Sequence, residues 1–177
     1  AQDIESKFTD QTKVMFEYGR GLTKNQVTAI SQTPPNNPTV INLAQTNGII
    51  EAENYYTKHN SIILENNNTS IGYFWQGYDI SYKVIVPEQA RYTLNLNAAT
   101  ENDNVKAAFD VYIDDVLSYS TSTLAKNTGG WAKFEAIEMN DKISLPSGQH
   151  IIKFVSQTKD LNIDYFKFIK FDDQYIE

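Results

Sequence analysis

Two carboxylates, Glu51 and Glu53, stand two residues apart in the segment Ile49 to Tyr55, which is predicted to be a strand. Side chains two apart in a strand project from the same face. Such a pair allows a calcium site, because hard cations bind several oxygens, or a general acid and base pair of the glycosidase type. A solvated strand face is the third interpretation, and the spacing alone leaves all three open.

Large aromatic residues stand in two glycine-containing segments. Tyr73 and Trp75 lie in the segment GYFWQG (72–77), and Trp131 follows the turn TGG (128–130). Sugars present apolar C–H faces rimmed by hydroxyls, so a sugar site needs flat rings together with amide or carboxylate groups. The three rings therefore indicate either a sugar platform or residues of the core, and the sequence pattern does not choose between them.

The sequence lacks the usual catalytic motifs: a nucleophile elbow, a phosphate-binding loop, a dinucleotide fingerprint and a histidine pair at zinc spacing. Its two histidines, His59 and His150, stand alone and are predicted to have surface or packing roles. The pair Asp114-Asp115 is typical of a tight turn. We therefore predict that the chain is not an enzyme.

The composition of the chain disfavours several classes of binding partner. The 177 residues carry a formal charge of -7, which disfavours nucleic acids and acidic polyanions because both need a basic surface. The absence of cysteine excludes disulfides and thiolate metal sites. No apolar run approaches the roughly 20 residues that span a bilayer. We expect a monomer with neither a nucleic-acid partner nor a membrane partner.

The elements that must position these residues are strands. From Ile49 onward, short alternating runs are separated by turn residues, which is typical of a sandwich. We predict that 79–86 and 91–99 form one hairpin, and that 107–113 and 116–121 form a second across Asp114-Asp115. Further strands are predicted at 131–139, 150–156 and 163–171. The expected fold class is all-β.

The first 45 residues show a different pattern. Their one strand-like run is Lys13 to Tyr18, and the Pro-rich stretch Thr33 to Pro38 is typical of an extended linker between domains. We interpret residues 1–45 as an N-terminal extension and linker, or the tail of an upstream domain. Residues 46–177 are predicted to form the sandwich.

Six segments in order carry a family resemblance across about residues 48–171. They are IEAENY (50–55), IGY (71–73), SY (81–82), TGGW (128–131), LPSG (145–148) and LNIDYF (161–166). In order and spacing the chain resembles the family 6 carbohydrate-binding modules. The resemblance implies a jelly-roll-like β-sandwich of two antiparallel sheets, found in many relatives as an appendage of secreted glycoside hydrolases.

The resemblance also implies a site. In this family an aromatic pair clasps a sugar in a loop cleft while an asparagine amide adds hydrogen bonds, and Tyr73, Trp131 and Asn162 match those positions. Trp75 is an additional ring that either replaces Tyr73 or contacts the rim. Some relatives bind instead on a concave sheet face.

The family's structural calcium site implies a role for the first and last strands. Glu51, Glu53 and Asp164 match its carboxylates, with backbone carbonyls completing the shell. This chain departs from the common Gly-Asp-aromatic pattern at Gly77-Tyr78-Asp79.

The functional hypothesis is a secreted, non-catalytic module that holds a linked glycoside hydrolase on a neutral polysaccharide such as xylan, a β-glucan or an agarose-like galactan. Two alternatives remain: a fragment of a glycan-active enzyme, and an adhesion or scaffold module that recognises protein.

Overall fold

The computed structural model of the chain describes residues 32–33 and 39–171. The chain divides into two units, Ala1–Thr33 and Pro34–Glu177. In the first, β1 (Gln32–Thr33) is the described element, and the strand predicted at Lys13 to Tyr18 lies outside the described residues. The strands of the second unit are β2 (Val40–Asn42), β3 (Ile49–Glu51), β4 (Thr57–His59), β5 (Ile63–Glu65), β6 (Ser70–Gly72), β7 (Asp79–Val86), β8 (Ala90–Ala99), β9 (Val105–Ile113), β10 (Val116–Ala125), β11 (Glu135–Leu145), β12 (Gly148–Ser156) and β13 (Asn162–Lys170).

The strands of the second unit form two sheets, which confirms the all-β prediction. The first sheet has the order β4-β7-β12-β9-β10, and β2 joins it as a parallel partner of β7. The second has the order β11-β8-β13-β6-β5, with β3 paired to β13. Every other pairing within these sheets is antiparallel. The described part of the chain has no helix that could cross a bilayer.

The core lies between the sheets. Phe154 of β12 and Phe166 of β13 are both fully buried, and their rings stack at 4.1 Å between centroids with planes 2° apart. Tyr82 and Phe109 pack edge-on against Phe166. Because β12 and β13 belong to different sheets, this aromatic cluster joins the two layers.

One predicted hairpin is confirmed and the other is wrong. β9 and β10 pair across Asp114 and Asp115, whose φ angles of 51° and 67° match a tight turn with two left-handed residues. The strands β7 and β8 lie in different sheets. Alternation shows which face of each strand is buried, but both strands bury a face in the same core, so the pattern cannot identify their partners.

Two predicted strands have different bounds in the structure. The strand predicted from Ile49 to Tyr55 ends at Glu51, where a turn begins with the Asn54 N–H donating to the Glu51 carbonyl at 3.0 Å. Glu53 therefore lies in a turn, and the prediction that it shares a strand face with Glu51 is wrong. The strand predicted from Trp131 begins at Glu135, so Trp131 lies on a loop.

The predicted boundary near residue 45 also needs correction. β2 pairs with β7, and Ile41 and Leu43 are 5% and 4% exposed within the core. The segment is too short and too close to the prolines to show a strand rhythm in the sequence. Residues 40–43 thus belong to the sandwich, while residues 1–31 and 34–38 of the predicted extension lie outside the described residues.

We predict that Ile41→Ala destabilises the protein by about 2–4 kcal/mol, because it leaves a cavity in the core. The matched control is Val40→Ala, since Val40 is the neighbouring strand residue and is 42% exposed. Its expected cost is below about 1 kcal/mol. Chemical denaturation followed by circular dichroism measures both, and equal costs would show that β2 does not contribute to the core.

Candidate functional site

A cleft of about 320 Å³ opens at the end of the sandwich where β6 ends and β13 begins. Loops β6–β7, β10–β11 and β12–β13 form its walls. The residues that line it are Glu65, Tyr73, Trp75, Trp131, Asp160, Leu161 and Asn162. The cleft thus brings together three segments that are far apart in sequence, which carry Tyr73 and Trp75, Trp131, and Asn162.

The β6–β7 loop turns two rings outward and one inward. Tyr73 is 54% exposed and Trp75 is 47% exposed, whereas Phe74 between them is buried against Phe109. The ring centroids of Tyr73 and Trp75 are 5.9 Å apart with planes tilted by 55°. Tyr73 has a φ of 56°, a left-handed conformation that L-residues other than Asn and Asp rarely adopt. Burial of Phe74 holds this loop in its unusual shape.

The loop that carries Trp131 is tied to the end of β8. The backbone N–H of Thr128 donates to the Thr100 carbonyl at 2.9 Å, and the Thr128 hydroxyl accepts from the Thr100 N–H at 3.0 Å. Asn127 accepts from the N–H of Gly129, whose φ of 93° favours glycine. These bonds hold Trp131, which is 37% exposed, at the cleft.

Asn162 connects this loop to the second sheet. It is the first residue of β13, is 8% exposed, and donates through Nδ2 to the Trp131 carbonyl at 3.0 Å. Its Oδ1 lies on the side of Gly72, where an added Cβ would come within 2.8 Å of it. Asn162 therefore positions Trp131 in addition to lining the cleft, a role that the sequence did not suggest.

Sequence reasoning missed three lining residues: Glu65, Asp160 and Leu161. Leu161 is buried and supplies an apolar floor. Asp160 has a φ of 65°, so it occupies a turn position that favours Asp. Its position just before the LNIDYF segment is the sequence feature that could have identified it as a cleft residue. No feature of the sequence indicated that Glu65 lines the cleft, because its proximity to Gly72 depends on the pairing of β5 with β6.

The two histidines have structural partners. His59 stacks on Tyr78 at 4.0 Å, and His150 bridges the Asp114 carboxylate and the Ser147 carbonyl at 2.7 and 2.9 Å. Neither histidine lines the cleft.

A family model, carbohydrate binding module (family 6), matches residues 51–170. The chain belongs to the family 6 carbohydrate-binding modules. This is a family of non-catalytic binding modules, and the matched range covers the cleft and the strands β4 to β13. A search of curated proteins finds no match.

Solved structures agree on the fold of the module. The C-terminal family 6 module of a marine laminarinase from Zobellia galactanivorans is 21% identical, with a TM-score of 0.57 over 69% of this chain and 98% of that one. A family 6 module of lichenase 5A from Cellvibrio mixtus, solved with cellotriose, is 20% identical with the same TM-score over 70% and 97%. A β-1,3-glucan-binding module from Bacillus halodurans is 16% identical, with a TM-score of 0.56 over 74% and 99%.

A second cluster of interest in the module is the carboxylate group of Glu51, Glu53 and Asp164. β3 pairs with β13 beside Asp164, whose backbone carbonyl accepts from the Ala52 N–H at 2.9 Å. Burial raises the pKa of Glu53 to about 7, and the charges of Glu51 and Asp164 add to the increase. Burial and Asp164 also raise the pKa of Glu51. The three side chains thus repel one another when ionised.

The side chains of this cluster supply some, but not all, of the ligands that a cation would need. Glu53 Oε1 is shielded from solvent and has no hydrogen-bond partner among the described residues, and a cation would compensate such an oxygen. The Asp164 carboxylate accepts a hydrogen bond from the Asn97 amide at 2.9 Å. However, within the described residues no three acidic, histidine or cysteine side chains are arranged to hold an ion by themselves. An ion here would need backbone oxygens as well, which calcium accepts readily.

We predict that the metal-free module loses stability as the pH rises from about 4.5 to about 7. Glu53 has a folded-state pKa of about 7 against an ordinary value of 4.5, so between these values the folded state retains a proton that the unfolded chain has lost. The stabilising contribution is complete below pH 4.5 and disappears above the folded pKa. Thermal melts in EDTA across this range measure it.

The matched variant is Glu53→Gln, which cannot titrate and should flatten the slope. The pKa of His150 is raised by its hydrogen bond to Asp114, so this residue changes stability with pH in the same direction. The contribution of Glu53 is therefore the difference between the melting curves of the wild type and of Glu53→Gln. Parallel curves for the two proteins would contradict the prediction.

Proposed function

We propose that the module binds a neutral polysaccharide in the loop cleft and holds a linked, secreted glycoside hydrolase on its substrate. The observation that carries the proposal is the convergence of three exposed rings, Tyr73, Trp75 and Trp131, around one cleft with Asn162 at its base. Large exposed aromatic patches on a soluble protein generally mark a binding surface.

The chemistry of the cleft suits a sugar. Its rings offer flat apolar surfaces for C–H faces, and its amide and carboxylate oxygens accept hydrogen bonds from hydroxyls. A volume of about 320 Å³ lies at the small end of the range of roughly 300–1,000 Å³ for small-molecule pockets, which suits one or two sugar units rather than a long chain. Few contacts and much sugar hydration to remove suggest a Kd on the order of micromolar to millimolar.

Xylan, β-glucan and agarose-like galactan are the candidate ligands. The complex of the Cellvibrio mixtus module with cellotriose and the β-1,3-glucan binding of the Bacillus halodurans module make β-glucans the first group to test. Tethering would act through local concentration, because a bound module keeps the linked catalytic domain near its substrate.

We predict that Trp131→Ala reduces sugar binding below detection while the domain stays folded. Trp131 is a loop residue with 37% of its surface exposed, so its removal takes away a stacking surface without a core contact. Asn162→Ala should weaken binding less completely, through loss of the amide and of the bond to the Trp131 carbonyl. Isothermal titration with cellotriose, laminaritriose, xylotriose and agaro-oligosaccharides measures each effect.

The control is Tyr112→Ala, since the Tyr112 ring lies on the outer face of the first sheet against Lys153. This variant should bind as the wild type does. If Trp131→Ala binds normally and Tyr112→Ala does not, the site lies on the sheet face.

We also propose that Glu51, Glu53 and Asp164 hold one structural calcium together with backbone carbonyls. The support is the shielded, unpartnered Glu53 Oε1 and the mutual repulsion of the three carboxylates, which a divalent cation would relieve. A bound cation favours the ionised carboxylates and would reverse the pH dependence of the metal-free protein.

Removal of calcium by EDTA is expected to lower the melting temperature, and added calcium to restore it, because an ion that binds only the native state stabilises it by mass action. Glu53→Gln should reduce the response. Differential scanning calorimetry with elemental analysis decides the matter: an unchanged melting temperature in a metal-free sample would refute the site.

A further inference from the structure

The turn that carries Trp75 is exposed along its length and is anchored at its two ends. Trp75, Gln76 and Gly77 are all exposed, and a Cβ added to Gly77 would meet no atom within 4 Å. Before the turn, Phe74 enters the core. After it, Tyr78 donates its backbone N–H to the Trp75 carbonyl at 2.9 Å and closes the turn. The orientation of Trp75 therefore depends on how Phe74 and Tyr78 are held.

Tyr78, where the sequence departs from the common Gly-Asp-aromatic pattern, is held through both its backbone and its ring. Its carbonyl accepts from the N–H of Ser156, the last residue of β12, at 2.9 Å. Its ring is partly buried against the core and stacks on the His59 ring, with centroids 4.0 Å apart and planes 7° apart. Stacked aromatic pairs attract each other beyond the area that they bury. The Tyr78 ring is thus held between the core and His59.

His59 is itself held in a defined orientation. It is the last residue of β4, which pairs with β7. The Thr57 hydroxyl of β4 shares a hydrogen bond of 2.6 Å with the Ser81 hydroxyl of β7. The Nδ1 atom of His59 accepts from the Ser61 backbone N–H at 3.1 Å, which sets the direction of the ring. The strand and this hydrogen bond together present the imidazole face to Tyr78.

On the basis of the proposed role of the cleft, we infer that His59 is a positioning residue, which holds Trp75 in its binding orientation by stacking on Tyr78. His59 does not line the cleft, so its effect passes through Tyr78 and the turn. Without the stack, the exposed turn samples other conformations, and only a fraction of the molecules keep Trp75 at the cleft. The apparent Kd increases as the fraction of binding-competent molecules falls.

Two substitutions separate the stack of His59 from its hydrogen bond. His59→Phe keeps a flat ring against Tyr78 but cannot accept from the Ser61 N–H. His59→Asn keeps an acceptor oxygen for that N–H but has no ring. If the stack positions Trp75, His59→Asn is impaired and His59→Phe behaves as the wild type does.

The tryptophans report the effect without any ligand. The chain has two, Trp75 and Trp131, and both line the cleft. Incorporation of fluorotryptophan gives one fluorine NMR resonance for each, and Trp75→Phe assigns them. In His59→Asn the Trp75 resonance should shift or broaden by more than its wild-type linewidth, while the Trp131 resonance stays in place. His59→Phe should restore the Trp75 resonance.

The control for the attachment of β4 is Thr57→Val, which removes the hydroxyl bond to Ser81 and keeps both rings. It should leave the Trp75 resonance unchanged. An unchanged Trp75 resonance in His59→Asn, a failure of His59→Phe to restore it, or an equal change in Thr57→Val would overturn the inference.

Ligand binding completes the test. In isothermal titrations with cellotriose and laminaritriose, His59→Asn should raise the Kd about three- to tenfold, the range that one stacked aromatic pair contributes. His59→Phe should bind as the wild type does. A Kd that His59→Asn leaves unchanged would overturn the inference alone. Binding that Trp131→Ala leaves intact would overturn the sugar cleft itself, and the fluorine spectra would still decide the role of His59.

Discussion

The contact on which the rest of the module depends is the stack of Phe154 on Phe166 between the two sheets. It places β13 against β12, and β13 carries residues of both candidate sites within five positions of its start. Asn162 faces the cleft, Asp164 joins the carboxylate cluster, and Phe166 enters the core. Because side chains in a packed core occupy defined rotamers, a shift of this stack would move both sites together.

The aromatic rings of the cleft lie on loops rather than on the strands of the core. Phe74 is buried while its neighbours Tyr73 and Trp75 are exposed, so one core residue anchors two rings that line the cleft. Thr100 and Thr128 hold the Trp131 loop through backbone and hydroxyl bonds that do not involve the ring. Loops on a rigid scaffold can change their side chains without changing the fold, which explains how solved modules near 20% identity keep the same sandwich.

The carboxylates of the two candidate sites lie in different environments. Glu53 is crowded by Glu51 and Asp164 and shielded from water, so its charge is unfavourable unless something positive compensates it. Glu65 lines the cleft, where it is half-buried. The first arrangement couples the stability of the fold to the ionisation of its carboxylates, whereas the second places acceptor oxygens at the cleft.

The sequence by itself determined the fold class, the family and the local turns. Alternating strands, the ordered segments from IEAENY to LNIDYF and the Asp114-Asp115 hairpin are all readable over short distances. Each depends on the preferences of neighbouring residues, such as the left-handed conformations that Asp tolerates at the β9–β10 turn.

Only the tertiary structure decided which strands are partners and what surrounds each site residue. It assigned β7 and β8 to different sheets, brought Ile41 and Leu43 into the core, and turned the Asn162 amide towards the Trp131 carbonyl. It also placed Glu65 beside Gly72. These outcomes depend on packing between residues distant in sequence, whereas strand periodicity records only whether a face is buried and carries no information about what it is buried against.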